Sequence, residues 1–205
     1  QAIVCAEGWP QPALRELAGH AAAVAVVPDE LMAALSTLES PPAIGFVVAT
    51  PTAPAITPDA PSLVLDRLQD AGNVGTILRS AAAFGFTQVV ALKGKAALWS
   101  PKVLRAGMGA HFGLRLVEGV EADALAALRV PLLATSSHAA RSLHEVDLPW
   151  PCAWVMGHEG QGVSPVLEQR CAMTLRIPQP GGEESLNVAA AAAVCLYESA
   201  RQRVA

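Results

Sequence analysis

An α/β fold, with a mainly parallel sheet covered by helices on both faces, is predicted by three observations. Short, continuously apolar runs recur along the chain without the polar alternation of a half-exposed strand. Segments of helical spacing alternate with them, the order that wraps helices around parallel strands. Three of the runs also lead into polar, glycine-bearing loops, within residues 63–86 (LVLDRLQDAGNVGTILRSAAAFGF), 152–164 (CAWVMGHEGQGVS) and 173–193, the last ending GGEESLNVAAAAA. In an open parallel sheet such loops gather at the carboxyl edge and form the ligand crevice, so Asn73, Arg79, Glu159, Ser185 and Asn187 are expected to converge there.

The first fifty residues read as an apolar stretch at 3–6, a helix around 12–18, a strand at 23–27, a helix over 29–38 and a strand at 43–49. This is part of a small α/β domain, residues 1–50, too short to bury a comfortable core alone. Its opening on Gln1 rather than methionine reads as a missing beginning. Residues 51–61, PTAPAITPDAP, hold Pro51, Pro54, Pro58 and Pro61, which remove backbone donors and stiffen the chain into a linker.

The larger domain, residues 62–205, has regular spacing. Strands are predicted at 63–65, 88–92, near 113–117, and at 131–134, 152–156 and 173–177. Helices are predicted at 74–84, 101–107 and 122–128. A loop spans 138–149, Ser164 as cap and Pro165 at the first position open a further helix, and the last helix runs from about 187 to 201. Gly181 and Gly182 let the backbone bend before that helix, Ser185 can cap its first amides, and the alanines behind it admit close packing.

Composition narrows the function classes. With 205 residues and 52% hydrophobic content the chain buries an ample core, yet its longest apolar runs fall short of the ~20 residues that cross a bilayer. A soluble, cytoplasmic protein is expected. Cys5, Cys152, Cys171 and Cys195 are far apart in apolar surroundings, without a CxxC pair, and the five histidines are scattered, so reduced core cysteines and no metal site are expected. Only His158 falls in one of the polar loops. The net charge of −4 and pI near 5.7 argue against a protein that coats nucleic acid. Between Arg67 and Arg115, however, lie seven of the fourteen basic residues and one of the eighteen acids. That segment is either a positive face for phosphates or an incidentally basic solvated surface.

Glycine turns after strands commonly hold phosphates, but the nucleotide fingerprints are missing. No GxGxxG follows the first strand of the larger domain, no GxxxxGK[ST] occurs, and no acid closes the second strand. A nicotinamide dehydrogenase and a P-loop enzyme are thereby set aside, and the lack of a GxSxG elbow sets aside a serine hydrolase.

Three ordered motifs remain: Asn73-Val74-Gly75-Thr76-Ile77-Leu78-Arg79, then Gly157-His158-Glu159-Gly160-Gln161-Gly162, then Ile177-Pro178 followed by Ser185-Leu186-Asn187-Val188. In their order and spacing over residues 62–205 the chain resembles the SpoU family of SPOUT methyltransferases, which methylate ribose 2′-hydroxyls in tRNA or ribosomal RNA. The departures are small: Ala71 stands where proline is frequent, and His158 where serine or asparagine is common. Residues 1–50 are more loosely similar to the latter part of the family's L30e-like substrate-binding domain.

The resemblance implies a carboxyl-terminal trefoil knot that holds S-adenosylmethionine. Gly157, Gly162, Ile177, Leu186 and Asn187 are the implied cofactor residues, the glycines by close backbone approach and Ile177 and Leu186 against the adenine. It also implies that Arg79 activates the hydroxyl, with Asn73, Glu159, Ser185 and Asn187 holding Arg79 and the ribose, and no metal. Because a guanidinium normally stays protonated, electrostatic stabilisation of a developing alkoxide is favoured over proton abstraction by Arg79. RNA is the implied partner, and Lys93, Lys95, Lys102 and Arg105 of the basic segment are the expected contacts to its backbone; a homodimer is the implied assembly, without membrane attachment. The alternative is a non-catalytic RNA-binding or ribosome-assembly protein that keeps the fold.

Overall fold

The computed structural model of the chain describes residues 1–36, 38–52, 54–94, 97–181 and 186–204. Backbone contacts divide it into two units, Gln1–Pro51 and Thr52–Ala205.

The first unit contains β1 (Ala2–Cys5), α1 (Pro12–Gly19), β2 (Val24–Val27), α2 (Asp29–Leu35) and β3 (Ile44–Phe46). Its sheet order is β2-β1-β3, with β1 parallel to β2 and antiparallel to β3. Pro12 occupies the start of α1, where its missing N–H costs nothing. Helix α2 ends at Leu35 instead of continuing to residue 38, because Ser36 adopts extended backbone and its hydroxyl accepts the Leu38 N–H at 3.1 Å. The core is small: Ala2, Val4 and Ala18, against Trp9, Ala21 and Ile44.

The second unit follows the order β4 (Ser62–Leu65), α3 (Ala71–Ala83), β5 (Gln88–Leu92), α4 (Pro101–Gly107), β6 (Arg115–Val120), β7 (Leu132–Thr135), β8 (Ala153–Met156), α5 (Pro165–Glu168), β9 (Met173–Leu175) and α6 (Val188–Val204). Its six strands are parallel throughout, in the order β6-β5-β4-β8-β7-β9. Alternate residues of each strand point to opposite faces, and both faces are covered. Leu63, Leu65, Val89, Trp154 and Met156 pack on one side with Ile77, Leu78, Ala192 and Leu196 from α3 and α6. Val64, Val90, Val155 and Leu132 pack on the other with Leu125 and Leu167. Ile56 joins that second face, the Thr57 N–H donates to Gln88 Oε1 at 2.7 Å, and Asp59 pairs with Arg129, so the second half of the proline-rich segment is fastened to this unit.

Local chemistry sets the helix boundaries. The Asp70 carboxylate accepts the Asn73 N–H at 2.7 Å, which starts α3 three residues before the predicted position. Ser100 and Pro101 open α4 in the same cap-then-proline manner, and Met108 in the left-handed region closes it. A Cβ on Gly75 would overlap Ala106 and the Gly107 backbone, so this glycine permits the close crossing of α3 and α4. Residues 122–127 form a 3-10 turn instead of the expected α-helix; they lack a side-chain cap bond and are short enough for the tighter winding. The predicted 138–149 loop contains one turn at Leu143–Glu145, closed reciprocally by Ser142 and Glu145.

A buried polar clasp joins the sheet to α6. Trp154 on the central sheet donates its indole N–H to Ser199 Oγ at 2.9 Å, and Ser199 donates to the Cys195 carbonyl at 3.0 Å within α6. Replacing Ser199 with alanine strands that indole N–H in the core and is expected to cost roughly 1–3 kcal/mol in a denaturant titration. An unchanged midpoint would mean that the indole finds another acceptor.

Candidate functional site

The carboxyl ends of β7, β8 and β9 open into a cleft of about 390 Å³, within the range of small-molecule sites. The loop after β8 forms its floor. His158 and Gly162 exchange backbone hydrogen bonds of 3.0 and 2.8 Å, pinching residues 158–162 into a closed turn with Gly162 at φ +70°. A Cβ on Gly157 would overlap the backbone of Gly162 and Val163. The requirement for glycine at 157 therefore comes first from the loop's own closure.

The tip of that turn reaches the first motif. Glu159 accepts the Asp70 N–H at 3.1 Å, the Gln69 N–H at 3.3 Å and the Asn73 side-chain amide at 3.4 Å, all at the start of α3. A carboxylate there meets the unpaired amides and the positive end of the helix. Partial burial pushes the Glu159 carboxyl up, but hydrogen bonds from its own N–H, Asp70, Asn73 and Gln69 outweigh it and hold the carboxyl below its ordinary range. The loop's anchorage is thus complete at neutral pH and weakens only as acid protonates Glu159 below that range.

Asn73 passes the connection onward. Its Oδ1 accepts the Asn187 side-chain amide at 3.0 Å, while Asn187 Oδ1 caps α6 by accepting the N–H groups of Ala189 and Ala190 at 2.9 and 3.2 Å. Glu159, Asn73 and Asn187, one from each motif, therefore form one hydrogen-bonded chain beside the cleft. Gly157, Gly162, Ile177 and Leu186 line the cleft itself. Asn187 contributes through the helix it caps, since Val188 and Ala191 of α6 form part of the wall.

Arg79 stands apart from this chain. Six residues beyond Asn73 on α3, it lies about 9 Å further along the axis and about 120° around it. It is exposed, and among the described residues it has no hydrogen-bond or ion-pair partner. It follows Gly75 by one turn and so lies on the side of α3 that faces α4. Ser185 and Lys95 lie outside the described residues. Of the remaining basic candidates, Lys93 is paired with Glu121 at 2.6 Å, with both side chains exposed, and Lys102 and Arg105 lie one turn apart on exposed positions of α4.

Several residues in or near the cleft are not marked by any sequence motif. Arg67 has φ +61°, rare for a residue with a side chain, and from there it donates to Asp66 at 3.1 Å, Gln161 at 2.8 Å and the Gly162 carbonyl at 3.3 Å. Buried Asp66 also accepts the Ser164 N–H at 2.7 Å, so this acid-arginine pair fastens β4 to the loop after β8. Thr135, Ser136 and His138 line the cleft after β7. Their signal was the same polar strand exit that marked the other three loops. Gln179 also lines it, and its Oε1 is buried without a partner. An acceptor orphaned in a partly apolar cleft fits a ligand with N–H donors.

Other chemistries find little support. Among the described residues no group of three or more His, Cys, Asp or Glu is arranged to hold a metal ion, and no helix is long and apolar enough to cross a membrane. The four cysteines are free, and burial pushes Cys152 up to about 12 and Cys171 up to about 11, far from thiolate formation at neutral pH.

The sequence model of the SpoU rRNA Methylase family matches residues 60–197. The 23S rRNA (guanosine-2′-O-)-methyltransferase RlmB of Bordetella pertussis is 39% identical over 151 residues, covering 69% of this chain and 59% of that protein. The chain thus spans less than two thirds of that relative. A 23S rRNA (uridine(2479)-2′-O)-methyltransferase of Streptomyces viridochromogenes is 31% identical over 194 residues, 88% of this chain and 68% of that one. The crystal structure of the SpoU methyltransferase AviRb from the same organism, in complex with AdoMet, superposes with a TM-score of 0.86 at 26% identity, covering 99% of this chain and 82% of that one.

Proposed function

The chain belongs to the SpoU rRNA Methylase family, and on that footing we propose that it methylates a ribose 2′-hydroxyl in RNA, with S-adenosylmethionine as donor and ribosomal RNA as the substrate class. The observation that carries this reading is the hydrogen-bonded chain from Glu159 through Asn73 to Asn187. It ties all three motifs to one cleft of cofactor size. The family's carboxyl-terminal knot and the assignment of residues 1–50 to an L30e-like substrate-binding domain are part of the same reading.

S-adenosylmethionine supplies an electrophilic methyl group on a sulfonium, whose departure as a neutral thioether needs no metal. The protein's task is alignment and charge control. Gly157 and Gly162 shape the loop beneath the donor, and Ile177 and Leu186 offer apolar surface to its adenine. Glu159 and Asn187 hold Asn73 and the ends of α3 and α6 in register, which fixes the acceptor oxygen relative to the cleft. Arg79, on α3 outside that hydrogen-bonded chain, is assigned to stabilise the oxygen as it loses its proton to water or a phosphate. Ser185 precedes the α6 cap and is assigned to the ribose. Lys102 and Arg105 on α4, with Lys93 and Lys95 before it, meet the RNA backbone.

The decisive test is incubation of the protein with S-adenosylmethionine and unmodified 23S ribosomal RNA or tRNA transcripts, followed by nucleoside mass spectrometry. A ribose-methylated nucleoside is expected from ribosomal RNA. Methyl groups found only on bases, or cofactor binding without methyl transfer to either RNA, would overturn the reading, and the second outcome would favour a non-catalytic RNA-binding protein. The substrate makes the cytoplasm the compartment of action.

A homodimer belongs to this reading. Ala190, Val194 and Tyr197 form an exposed stripe along α6 at i, i+4 and i+7, and Tyr197 meets Phe84 of α3 edge-on at 5.9 Å. This apolar surface, with Val194 40% and Tyr197 55% exposed, is the expected face of a second copy. Sedimentation is expected to give a dimer at micromolar concentration, reduced to monomer by Val194→Glu. A monomeric parent protein would refute the assembly.

A further inference from the structure

We propose that Gln179 reads the amino edge of the donor's adenine, an inference that rests on the cofactor reading above. Gln179 follows Ile177 by two residues at the exit of β9, and both line the cleft. Its Oε1 is enclosed and unpartnered, and among the described residues the Gln179 side chain forms no hydrogen bond. A buried carboxamide oxygen without a donor costs the folded protein free energy and offers that energy to a ligand that brings one.

The surroundings select the kind of donor. Ile177, Leu186 and Val188 are among the apolar residues that line the same cleft, while its carboxylates among the described residues are Glu159 and Glu168. A charged ammonium suits the carboxylates. A neutral amide among aliphatic side chains suits a planar, neutral heterocycle with an N–H donor next to a ring-nitrogen acceptor, and the adenine edge has that pattern. Carboxamides pair with adenine in this way, the oxygen accepting from the exocyclic amine and the NH2 donating to the ring. Gln179 thus acts as a specificity residue for the adenine base, separate from methyl transfer.

The test uses calorimetry with two ligands, S-adenosylhomocysteine and its analogue carrying hydrogen in place of the adenine amine. The whole protein is compared with Gln179→Met, which keeps the side-chain length and removes both polar atoms. The unaltered protein is expected to bind the amine-less analogue roughly tenfold more weakly. Gln179→Met is expected to bind S-adenosylhomocysteine roughly tenfold more weakly and to treat both ligands alike. Without ligand, Gln179→Met is expected to unfold at or above the parent temperature, because an unsatisfied buried acceptor has been removed; a purely structural glutamine would make it unfold lower. Equal affinity of the unaltered protein for both ligands, continued discrimination by the variant, or a lowered unfolding temperature would each overturn the inference. Failure of the unaltered protein to bind either ligand would instead overturn the cofactor reading, and this inference with it.

Discussion

Arg79→Ala is expected to lower methyl transfer by about 10²–10³-fold or more, the range lost when a preorganised donor to a developing oxyanion is removed. Cofactor affinity should change little. Arg79 is exposed, makes no hydrogen bond among the described residues and does not line the cleft, so its removal breaks nothing that shapes the donor site. The fold should also survive, because the buried face of α3 is made by Val74, Gly75, Ile77, Leu78 and Ala81. Arg79→Lys should rescue poorly, since an ammonium is a point charge and lacks the planar fork of donors. Single-turnover assays beside calorimetry separate the two properties. Near-parental turnover in either variant would remove Arg79 from the mechanism, and lost cofactor affinity in Arg79→Ala would give it a structural role instead.

Gly157→Ala should do the reverse, weakening cofactor binding through geometry. The new Cβ would meet backbone atoms of Gly162 and Val163, which cannot swing aside as a flexible side chain does. Relief requires displacing the 158–162 turn, breaking the paired His158 and Gly162 hydrogen bonds and withdrawing Glu159 from the first turn of α3. Overpacking of this kind costs roughly 1–3 kcal/mol of stability, and cofactor affinity is expected to fall about a hundredfold, equivalent to about 2.7 kcal/mol. Gly162→Ala is the informative control. Its Cβ would enter open space, so the penalty is confined to the strain of φ +70° and is expected near 1 kcal/mol. A Gly157→Ala protein that binds the donor as well as Gly162→Ala would show that the turn yields more easily than its packing implies.

The alternation of strands and helices was legible because β4, β5 and β8 are buried along their whole length and their only polar residues, Ser62 and Gln88, stand at the strand starts. The predicted 88–92 strand and 101–107 helix coincide with β5 and α4. Boundaries slipped where a side chain, not periodicity, decides the end: Asp70 lengthens α3 and Ser36 shortens α2. The convergence of Asn73, Glu159 and Asn187 could be anticipated from loops shared by one sheet edge, but their pairing depends on β8 lying beside β4, a neighbourhood no local pattern encodes. For the same reason Asp66 and Arg67 went unnoticed as a fastening, since their partners lie more than ninety residues away. Arg79 illustrates the opposite limit. Its motif position is unmistakable, yet among the described residues no hydrogen bond joins it to Asn73, Glu159 or Asn187.

The Glu159–Asn73–Asn187 chain also has a consequence for protein synthesis. Its two side-chain links close over 86 and 114 residues, among the more distant contacts a chain of this size makes. Contacts so remote form late, after the nearer strands and helices have already collapsed. While Asn187 and α6 are still inside the exit tunnel, a nascent chain has already released β4, α3 and β5 but not the residue that joins the third motif to the first. The link that joins the third motif to the first can form only once Asn187 has left the tunnel, and a polypeptide cut short before Asn187 lacks it.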